Sequence, residues 1–479
     1  MTPRLSPWLI PLLVPMAVWA RLMRNPFIVQ VMINYAAAAA RVGSWFIVAG
    51  LVYRRGGADE LAILMLLRGT VGLLSYTSLG LTPALVQILS KPVPIPPVSS
   101  EPPAESQLSH EPVEIPADRM TPRRVFNTAF VLTLIAAILG IIAAGIYGGN
   151  LRLFHQISKA KADDAGLVAM LLGAGVMVRI LSDVFGAKLM ASRALSRDAI
   201  CQIIGEIAFV IGTIVLTGYT SFTPMSAAAI AFLLGNIVIL AGRAILTTDR
   251  FQINLFDVDP GIVKLLLAGG SFVLLAQIAD WLYAPANQIL IDRFLGTSVV
   301  ADYVPAIQVD GAMLLLASGL ATVLFPYTAT AFHHQKWNDL RIYYLFGTIF
   351  SLIILTIGAV VICLIDGWLF TKWFGDPLPA TQAILPLVMI HTVAGGSASI
   401  GRSVLFGMGR IKPYAIAAII GGIANVGLAI LFLTTTDLGL KGIILATVIT
   451  VTLRCLIWLP IYTMWSIRQV GGPLRIHWH

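Results

Sequence analysis

Long apolar runs separated by short polar turns dominate the chain from residue 29 to residue 466. A helix needs about 20 predominantly apolar residues to cross the hydrocarbon core of a bilayer, and each run approaches or exceeds that length. Backbone polar groups find no water in that core, so these runs are predicted to be helical. Twelve spans are predicted, at residues 29–53, 62–90, 125–147, 165–188, 198–219, 224–247, 262–291, 302–331, 342–365, 380–402, 413–433 and 441–466.

Composition supports this interpretation. Hydrophobic residues make up 58% of the 479 residues and charged residues only 11%, and the mean hydropathy is +0.87. Such a balance excludes a water-soluble globular protein and indicates a polytopic membrane protein. In a membrane protein the net charge of +9 is informative about orientation in the bilayer, and no nucleic acid partner is expected. Lys and Arg concentrate in the loops that are cytoplasmic when both termini are cytoplasmic, which predicts a multi-pass inner (plasma) membrane protein with that orientation.

Several segments fall outside the predicted spans. Residues 8–20 are apolar but short, and are interpreted as an interfacial segment, as the result of a misassigned start codon, or as part of a cleavable signal peptide. The proline-rich stretch 91–124 cannot bury a core and is predicted to be a disordered cytoplasmic loop, with a docking site for a partner as the functional alternative. The predicted organisation is an N-terminal cytoplasmic or interfacial segment 1–28, a first bundle 29–247, a linker 248–261, a second bundle 262–466 and a cytoplasmic tail 467–479.

The two bundles carry traces of an internal duplication. Ile203–Val210 matches Ile419–Val426 at six of eight positions, each in the fifth span of its half. Arg55 and Arg293 mark a second correspondence, at the ends of spans one and seven. The predicted fold is therefore an all-α polytopic membrane protein with two parallel six-helix repeats. Repeats of this kind place a substrate site between the halves near the middle of the membrane.

Charged residues inside the first-half spans are the candidate site. Arg41 is the one charge in 29–53 and shares a helix face with Asn34 and Ser44. A guanidinium at the centre of a membrane helix costs about 2.5–3.5 kcal/mol on insertion scales, so it usually faces a cavity and serves a substrate. Arg68, nearer the end of span two, either lines the same cavity or reaches out to the headgroups.

Span four contributes Arg179 and Asp183, spaced as an i,i+4 pair, which is read either as part of the cavity wall or as a structural ion pair. Glu206 in span five is expected to form an ion pair with one of these arginines or to carry a proton. Arg402 and Arg454 lie closer to the ends of their spans and are interpreted as interfacial anchors.

In span seven, Asp280 shares a face with Gln277 and Asn287. Asp280 is nearly the repeat equivalent of Arg41, which predicts that the two side chains pair across the halves when the central cavity is empty. His391 is interpreted as a core residue. Three deep arginines in the first half predict an anionic cargo, because guanidinium groups suit phosphate and carboxylate geometry.

Three stretches carry a resemblance to a known family: Leu66-Leu-Arg68-Gly-Thr-Val-Gly-Leu-Leu-Ser-Tyr-Thr-Ser-Leu-Gly-Leu-Thr-Pro83, Leu405-Phe-Gly-Met-Gly-Arg-Ile-Lys412 and Gly439-Leu-Lys-Gly442. With these motifs the chain resembles polysaccharide transporters and O-antigen flippases of the multidrug/oligosaccharidyl-lipid/polysaccharide (MOP) exporter superfamily. The resemblance implies a MATE-like V of two six-helix bundles that open alternately to the two sides. It also implies a flippase for undecaprenyl-pyrophosphate-linked oligosaccharide in polysaccharide or lipopolysaccharide biosynthesis, and not an enzyme.

On this interpretation Arg41 and Arg68 bind pyrophosphate, and Arg179, Asn34 and Asn287 help to hold phosphate or sugar. Asp183, Glu206 and Asp280 are the candidates for coupling or gating. The candidate coupling ions are H⁺ and Na⁺, and the further candidate partners are membrane lipids and polysaccharide assembly proteins. No cofactor or metal is expected, and the chain shows no nucleotide-binding domain.

Other functions compete with this hypothesis. A MATE-type antiporter of small molecules, driven by a cation, has the same predicted fold, but the deepest charge of span one is basic. A membrane-embedded glycan polymerase or glycosyltransferase belongs to a different class and generally needs a sizeable catalytic loop. The longest predicted outer loop is only about 148–164. A purely structural membrane component is the remaining alternative.

Overall fold

A computed structural model describes residues 26–78, 81–89, 121–192, 194–247 and 254–471. Within these ranges the chain forms helices joined by short turns, as the apolar runs predict. The apolar segment 8–20, the proline-rich loop up to residue 120 and the last eight residues lie outside the described residues.

Helices are numbered here in chain order. Two short irregular helices interrupt the α-helical series: a 3₁₀-helix at Gly72–Ser78 and a π-helix at Leu453–Trp458. The α-helices are α1 Pro26–Val71, α2 Leu81–Leu89, α3 Pro122–Gly149, α4 Leu151–Phe154, α5 Lys159–Ala191, α6 Leu195–Tyr219, α7 Pro224–Thr247, α8 Pro260–Trp281, α9 Ala284–Leu295, α10 Thr297–His333, α11 Trp337–Phe374, α12 Pro379–Gly407, α13 Ile411–Thr435, α14 Leu440–Thr452 and α15 Leu459–Gly471.

Ten helical stretches of the described chain are long and apolar enough to cross a membrane. The first, Met32–Ser75, contains predicted span one from residue 32 and the first half of predicted span two, whose second half continues into α2 at Leu81–Leu89. These two spans meet at Gly57, whose φ of 82° is a conformation that glycine adopts far more readily than other residues. Predicted span seven is divided at Leu282 and Tyr283 into α8 and α9. Together with α2, α8 and α9, which complete spans two and seven, the ten stretches fit the twelve predicted spans.

The packing of the helices repeats from one half to the other. In the first half α6 packs against α1 and α7, and α5 packs against α3 and α7. In the second half α13 packs against α8 and α14, and α12 packs against α11 and α14. Each helix thus meets the equivalent neighbours in its own half. This confirms the two parallel six-helix repeats predicted from the sequence.

The halves are joined mainly through α1, which packs against α9 and α10, and through α2, which packs against α8. The described end of the linker is fixed to the first half, since Arg124 donates from Nε to Asp257 at 2.8 Å. That hydrogen bond holds the pKa of Asp257 below its ordinary value. Asp259 then caps α8 by accepting from the backbone N–H groups of Gly261 and Ile262.

Candidate functional site

Glu206 organises the polar centre of the first half. Its side chain is buried on α6, where one carboxylate oxygen accepts from Ser44 Oγ of α1 at 2.6 Å. The other oxygen accepts from Arg179 Nη1 of α5 at 3.2 Å. A buried carboxylate requires such partners, because an uncompensated charge is costly in a low-dielectric interior. One acidic residue therefore ties three helices together around an ion pair.

Arg41 lies beside this centre and faces open space. Its Nη2 donates to the side-chain oxygen of Gln202, one turn before Glu206 on α6, while the residue itself is exposed. Within the described residues Arg41 forms no ion pair with a carboxylate. The predicted pairing of Arg41 with Asp280 is wrong for this structure, because the guanidinium donates its hydrogen bond to the neutral side chain of Gln202. Arg41 thus keeps an uncompensated charge on an accessible surface.

Arg68 does not reach out toward the headgroups. Its guanidinium carbon lies 3.8 Å from the ring centroid of Trp45, a cation–π geometry, and the side chain is half-buried. Trp45 in turn packs against Phe209 and Phe232, with centroids 5.0 and 5.5 Å away. Arg68 therefore stays within the helix bundle, and among the described residues it too makes no ion pair with a carboxylate.

The expected i,i+4 pair of Arg179 and Asp183 is not formed. Asp183 instead accepts from Arg243 Nη1 at 2.7 Å, and Asp198 accepts from Arg243 Nε at 2.7 Å. Arg179 pairs instead with Glu206 of α6, at 3.2 Å. Arg243 was missed by the sequence analysis, although its position as an isolated charge in span six is the same signal that singled out Arg41.

Two predicted substrate contacts are used within the protein. Asn34 donates to the backbone oxygen of Gln30, one turn earlier on its own helix, at 2.8 Å. Asn287 is buried and donates to Thr447 Oγ1 at 2.9 Å while accepting from Asn425 at 3.1 Å. Both the NH₂ group and the carbonyl oxygen of the Asn287 side chain therefore have partners within the protein, which argues against the predicted role of this residue in holding cargo.

The second half contains a cavity of about 470 Å³ between α8, α10, α12 and the last span. Asp280, Arg402 and Arg454 line it, so the interpretation of these two arginines as interfacial anchors is wrong. Asp310 also lines the cavity and accepts from Thr392 Oγ1 at 2.6 Å. His391 Nδ1 lies 3.9 Å from the Asp310 carboxylate, with side-chain exposures of 12% and 11%, so this histidine is largely buried beside an acidic neighbour.

The halves meet at one end of the molecule through polar and aromatic contacts, a region called here the closed end and defined by Arg54, His155, Asp292 and Trp373. Arg54 Nε donates to the backbone oxygen of Trp373 at 3.0 Å, and the Trp373 ring stacks on Phe46 with centroids 4.0 Å apart. His155 Nδ1 lies 2.7 Å from Asp292 Oδ2, and both side chains are almost wholly buried. Sequence reasoning gave no signal for this pairing, since neither residue lies deep in an apolar run.

Comparison with known proteins adds to this picture. No protein-family model matches the chain. A curated relative, the uncharacterized membrane protein EpsK of Bacillus subtilis (strain 168), is 26% identical over 217 residues. The match covers 44% of this chain and 42% of the relative, so the chain spans less than half of that protein's length.

Solved structures match far more of the chain. A multidrug resistance MATE family transporter of the MOP superfamily, in its inward-facing conformation, superposes with a TM-score of 0.72 at 18% identity, over 93% of this chain and 100% of the other. The protein has the MATE transporter fold. The outward-facing conformation of a MATE transporter gives a lower TM-score of 0.62, also at 18% identity, over 93% of this chain and 96% of the other.

Proposed function

We propose that the protein is a membrane flippase that moves a lipid-linked, pyrophosphate-bearing oligosaccharide between leaflets by alternating access. The observation that carries the proposal is the pair of uncompensated cations in the first half. Arg41 donates to a neutral amide and Arg68 lies over an aromatic ring. Every other intramembrane charge described around Glu206 is matched: Arg179 by Glu206, and Arg243 by two aspartates.

An anion satisfies both free guanidinium groups. Arginine presents a planar set of donors that fits two phosphate oxygens at once, and this contact is stronger than one between neutral groups. A pyrophosphate offers enough oxygens for both residues. Arg179 supports the site by fixing Glu206, and Glu206 fixes Ser44 beside Arg41. Asp183, which pairs with Arg243, and Asp280, which faces the second-half cavity, stay candidates for coupling to H⁺ or Na⁺.

The proposed transport movement is argued from the contacts between the two halves. Contacts at the closed end hold the two bundles together there, and the likeness to an inward-facing transporter supports the assignment of that end to the outer side of an inner membrane. Breaking these contacts and closing the opposite end would present the cargo to the other leaflet. Both termini then lie in the cytoplasm, as the distribution of Lys and Arg predicts.

A MATE-type antiporter driven by a cation is the second candidate. The fold is that of multidrug resistance transporters, and two carboxylates, Asp280 and Asp310, line the second-half cavity. Such acids suit a proton, a sodium ion or an organic cation. The two candidates differ in the sign of the charge on their cargo, so one assay separates them.

The test uses the purified full chain in sealed vesicles. Labelled lipid-pyrophosphoryl sugar is placed in one leaflet and its exposure in the other is followed for wild type and Arg41→Ala. A charge-assisted hydrogen bond contributes about 1.5–3 kcal/mol, so we expect Arg41→Ala to slow exposure roughly ten- to a hundredfold. Arg55→Ala is the matched control, because Arg55 lies on the same helix and donates to the Thr217 backbone oxygen away from the cavity.

Equal rates for wild type and Arg41→Ala would refute the role of Arg41. The same vesicles are then loaded with ethidium and given a proton or sodium gradient. Gradient-driven ethidium movement without any lipid exposure would replace the flippase by the antiporter.

Gly50 provides a test of the closed end. A Cβ atom at Gly50 of α1 would lie 2.9 Å from the backbone oxygen of Trp373 in the other half and 2.7 Å from its ring. Overpacking of this kind costs about 1–3 kcal/mol, so Gly50→Ala is expected to disfavour the closed end and to slow transport roughly five- to a hundredfold. Gly43→Ala is the control, because nothing lies within 4 Å of its Cβ position on the same helix. Equal transport by both variants would contradict the proposal that the contact of α1 with Trp373 at the closed end opens and closes during transport.

A further inference from the structure

The second-half cavity is a formed site to which the flippase proposal assigns no part of the cargo. Its volume of about 470 Å³ lies within the range of about 300–1,000 Å³ that is usual for small-molecule sites. Its wall belongs to the second half except for Val42, the residue after Arg41 on α1. The cavity therefore lies against the first half, close to the arginine proposed for phosphate.

Arg454 is the main reason to expect a ligand there. It lies in the π-helical segment Leu453–Trp458, and such segments occur frequently at functional sites. Its guanidinium carbon lies 5.0 Å from the ring centroid of Tyr283. Nε and Nη1 of Arg454 and the hydroxyl of Tyr283 are buried with no hydrogen-bond partner within the described chain. Leaving such groups unpaired costs stability, so three buried polar atoms without a partner on two neighbouring residues of the wall indicate a missing acceptor.

The backbone leaves room for this arrangement. A Cβ atom at Gly421 would lie 2.8 Å from the Tyr283 hydroxyl and 3.3 Å from Cδ of Arg454. Tyr283 itself stands in the break of span seven, between α8 and α9. That break is held by Asn425, which donates to the backbone oxygen of Leu282 at 3.0 Å. The side chains at the orphaned cluster are thus fixed by rigid elements before any ligand arrives.

The charges of the wall define the chemistry of the ligand. Arg402 lines the cavity together with Arg454, and neither forms an ion pair among the described residues. Asp280 lines it as well and is likewise unpaired there, whereas Asp310 is held by Thr392. Two guanidinium groups that have no carboxylate within ion-pair distance favour an anionic ligand, and a carboxylate without an ion-pair partner accepts hydroxyl groups. The Tyr283 ring supplies an apolar face.

We propose that this cavity binds a sugar ring that carries a carboxylate, an acidic sugar of the transported glycan. Arg454 and the Tyr283 hydroxyl donate hydrogen bonds to the sugar carboxylate, and Arg402 is the second cation beside it. Asp280 accepts hydrogen bonds from the hydroxyl groups of the sugar ring. The proposal rests on the proposed function in one respect, since it treats the sugar as part of the lipid-linked cargo. It deepens that function by naming the class of saccharide that the protein accepts.

The experiment measures binding of D-glucuronate and D-glucose to the purified full chain in nanodiscs by titration calorimetry. We expect glucuronate to bind at least about tenfold more tightly than glucose, because only its carboxylate satisfies the arginines. Arg454→Gln should weaken glucuronate binding roughly ten- to a hundredfold, and Arg454→Lys should weaken it less. Arg410→Gln is the matched control, since Arg410 donates to Ser466 at 3.1 Å outside the cavity.

Arg402→Gln is the second variant if Arg454→Gln does not fold, as judged by helicity and elution as a single species. Equal affinity for glucose and glucuronate would overturn the proposal, and so would unchanged binding in a folded Arg454→Gln or Arg402→Gln protein. Loss of glucuronate binding in Arg41→Gln alone would place the carboxylate in the first half and overturn it too.

Inorganic pyrophosphate separates this inference from the proposed function. We expect Arg41→Gln to lose pyrophosphate binding and to keep glucuronate binding, and Arg454→Gln to show the reverse. If wild type binds glucuronate through Arg454 but binds no pyrophosphate, the flippase proposal fails while the sugar site stands. The opposite result leaves the flippase and removes the sugar site.

Discussion

Replacing Arg243 by methionine is expected to lower the free energy of unfolding by about 3–5 kcal/mol. Arg243 compensates two carboxylates, Asp183 and Asp198, and also donates to Ser182 Oγ at 2.8 Å. Its side chain and that of Asp198 are almost fully buried. Removing the cation leaves at least one buried charge without a partner, and the low-dielectric interior makes that charge expensive.

Equilibrium unfolding in mixed detergent micelles, followed by circular dichroism, measures this loss. Arg124→Met is the matched control, because the Arg124–Asp257 pair is partly exposed, with side-chain exposures of 38% and 23%. An exposed pair of this kind contributes only about 0–1 kcal/mol. Adding Asp183→Asn and Asp198→Asn to Arg243→Met should recover most of the stability, since no unpaired charge then remains. A loss for Arg243→Met no greater than for Arg124→Met would contradict the buried-triad interpretation.

Replacing His155 by alanine is expected to open the closed end. Asp292 is fully buried and faces His155 Nδ1 across the boundary between the halves, while Tyr147 contacts the other ring nitrogen. Removal of one partner of a buried pair costs up to about 3–5 kcal/mol. The pair exists only when the halves touch, so the cost falls on this state alone and shifts its population relative to the open state by roughly a hundred- to a few-thousandfold at most.

Spin labels at Leu153→Cys and Phe294→Cys report the opening, because both positions are exposed on opposite halves beside the pair. The three native cysteines are first replaced by serine. We expect the distance distribution of His155→Ala to gain a longer component, and the further change Asp292→Ala to remove part of it. His334→Ala is the control, being exposed at the other end of α10. Identical distributions for His155→Ala and wild type would show that this pair does not hold the end closed.

The fold was predictable from the sequence because a bilayer admits few structures. Without water in the hydrocarbon core, each long apolar run has to be a helix that satisfies its own backbone, and the match between Ile203–Val210 and Ile419–Val426 identified the duplication. The break of span seven at Tyr283 was not predictable in this way. It depends on Asn425 of α13, which supplies a donor to the freed carbonyl of Leu282.

The candidate site was predictable in part. Composition and depth singled out Arg41, Arg68 and Glu206, because an intramembrane charge is costly wherever it occurs. Their partners did not follow from spacing along the chain. Gln202 and Trp45 were overlooked, since an amide or an aromatic residue carries no comparable cost and gives no sequence signal.

The sequence by itself determined that this is a helical, duplicated membrane protein with rare buried charges, because hydropathy and the cost of a charge in lipid act on each segment separately. Only the tertiary structure decided which charges neutralise each other. Arg179 pairs with Glu206, Arg243 with Asp183, and Arg41 with no carboxylate in the described chain. The physical reason is that ion pairing depends on how neighbouring helices are rotated and how deep they lie, and packing between helices fixes both.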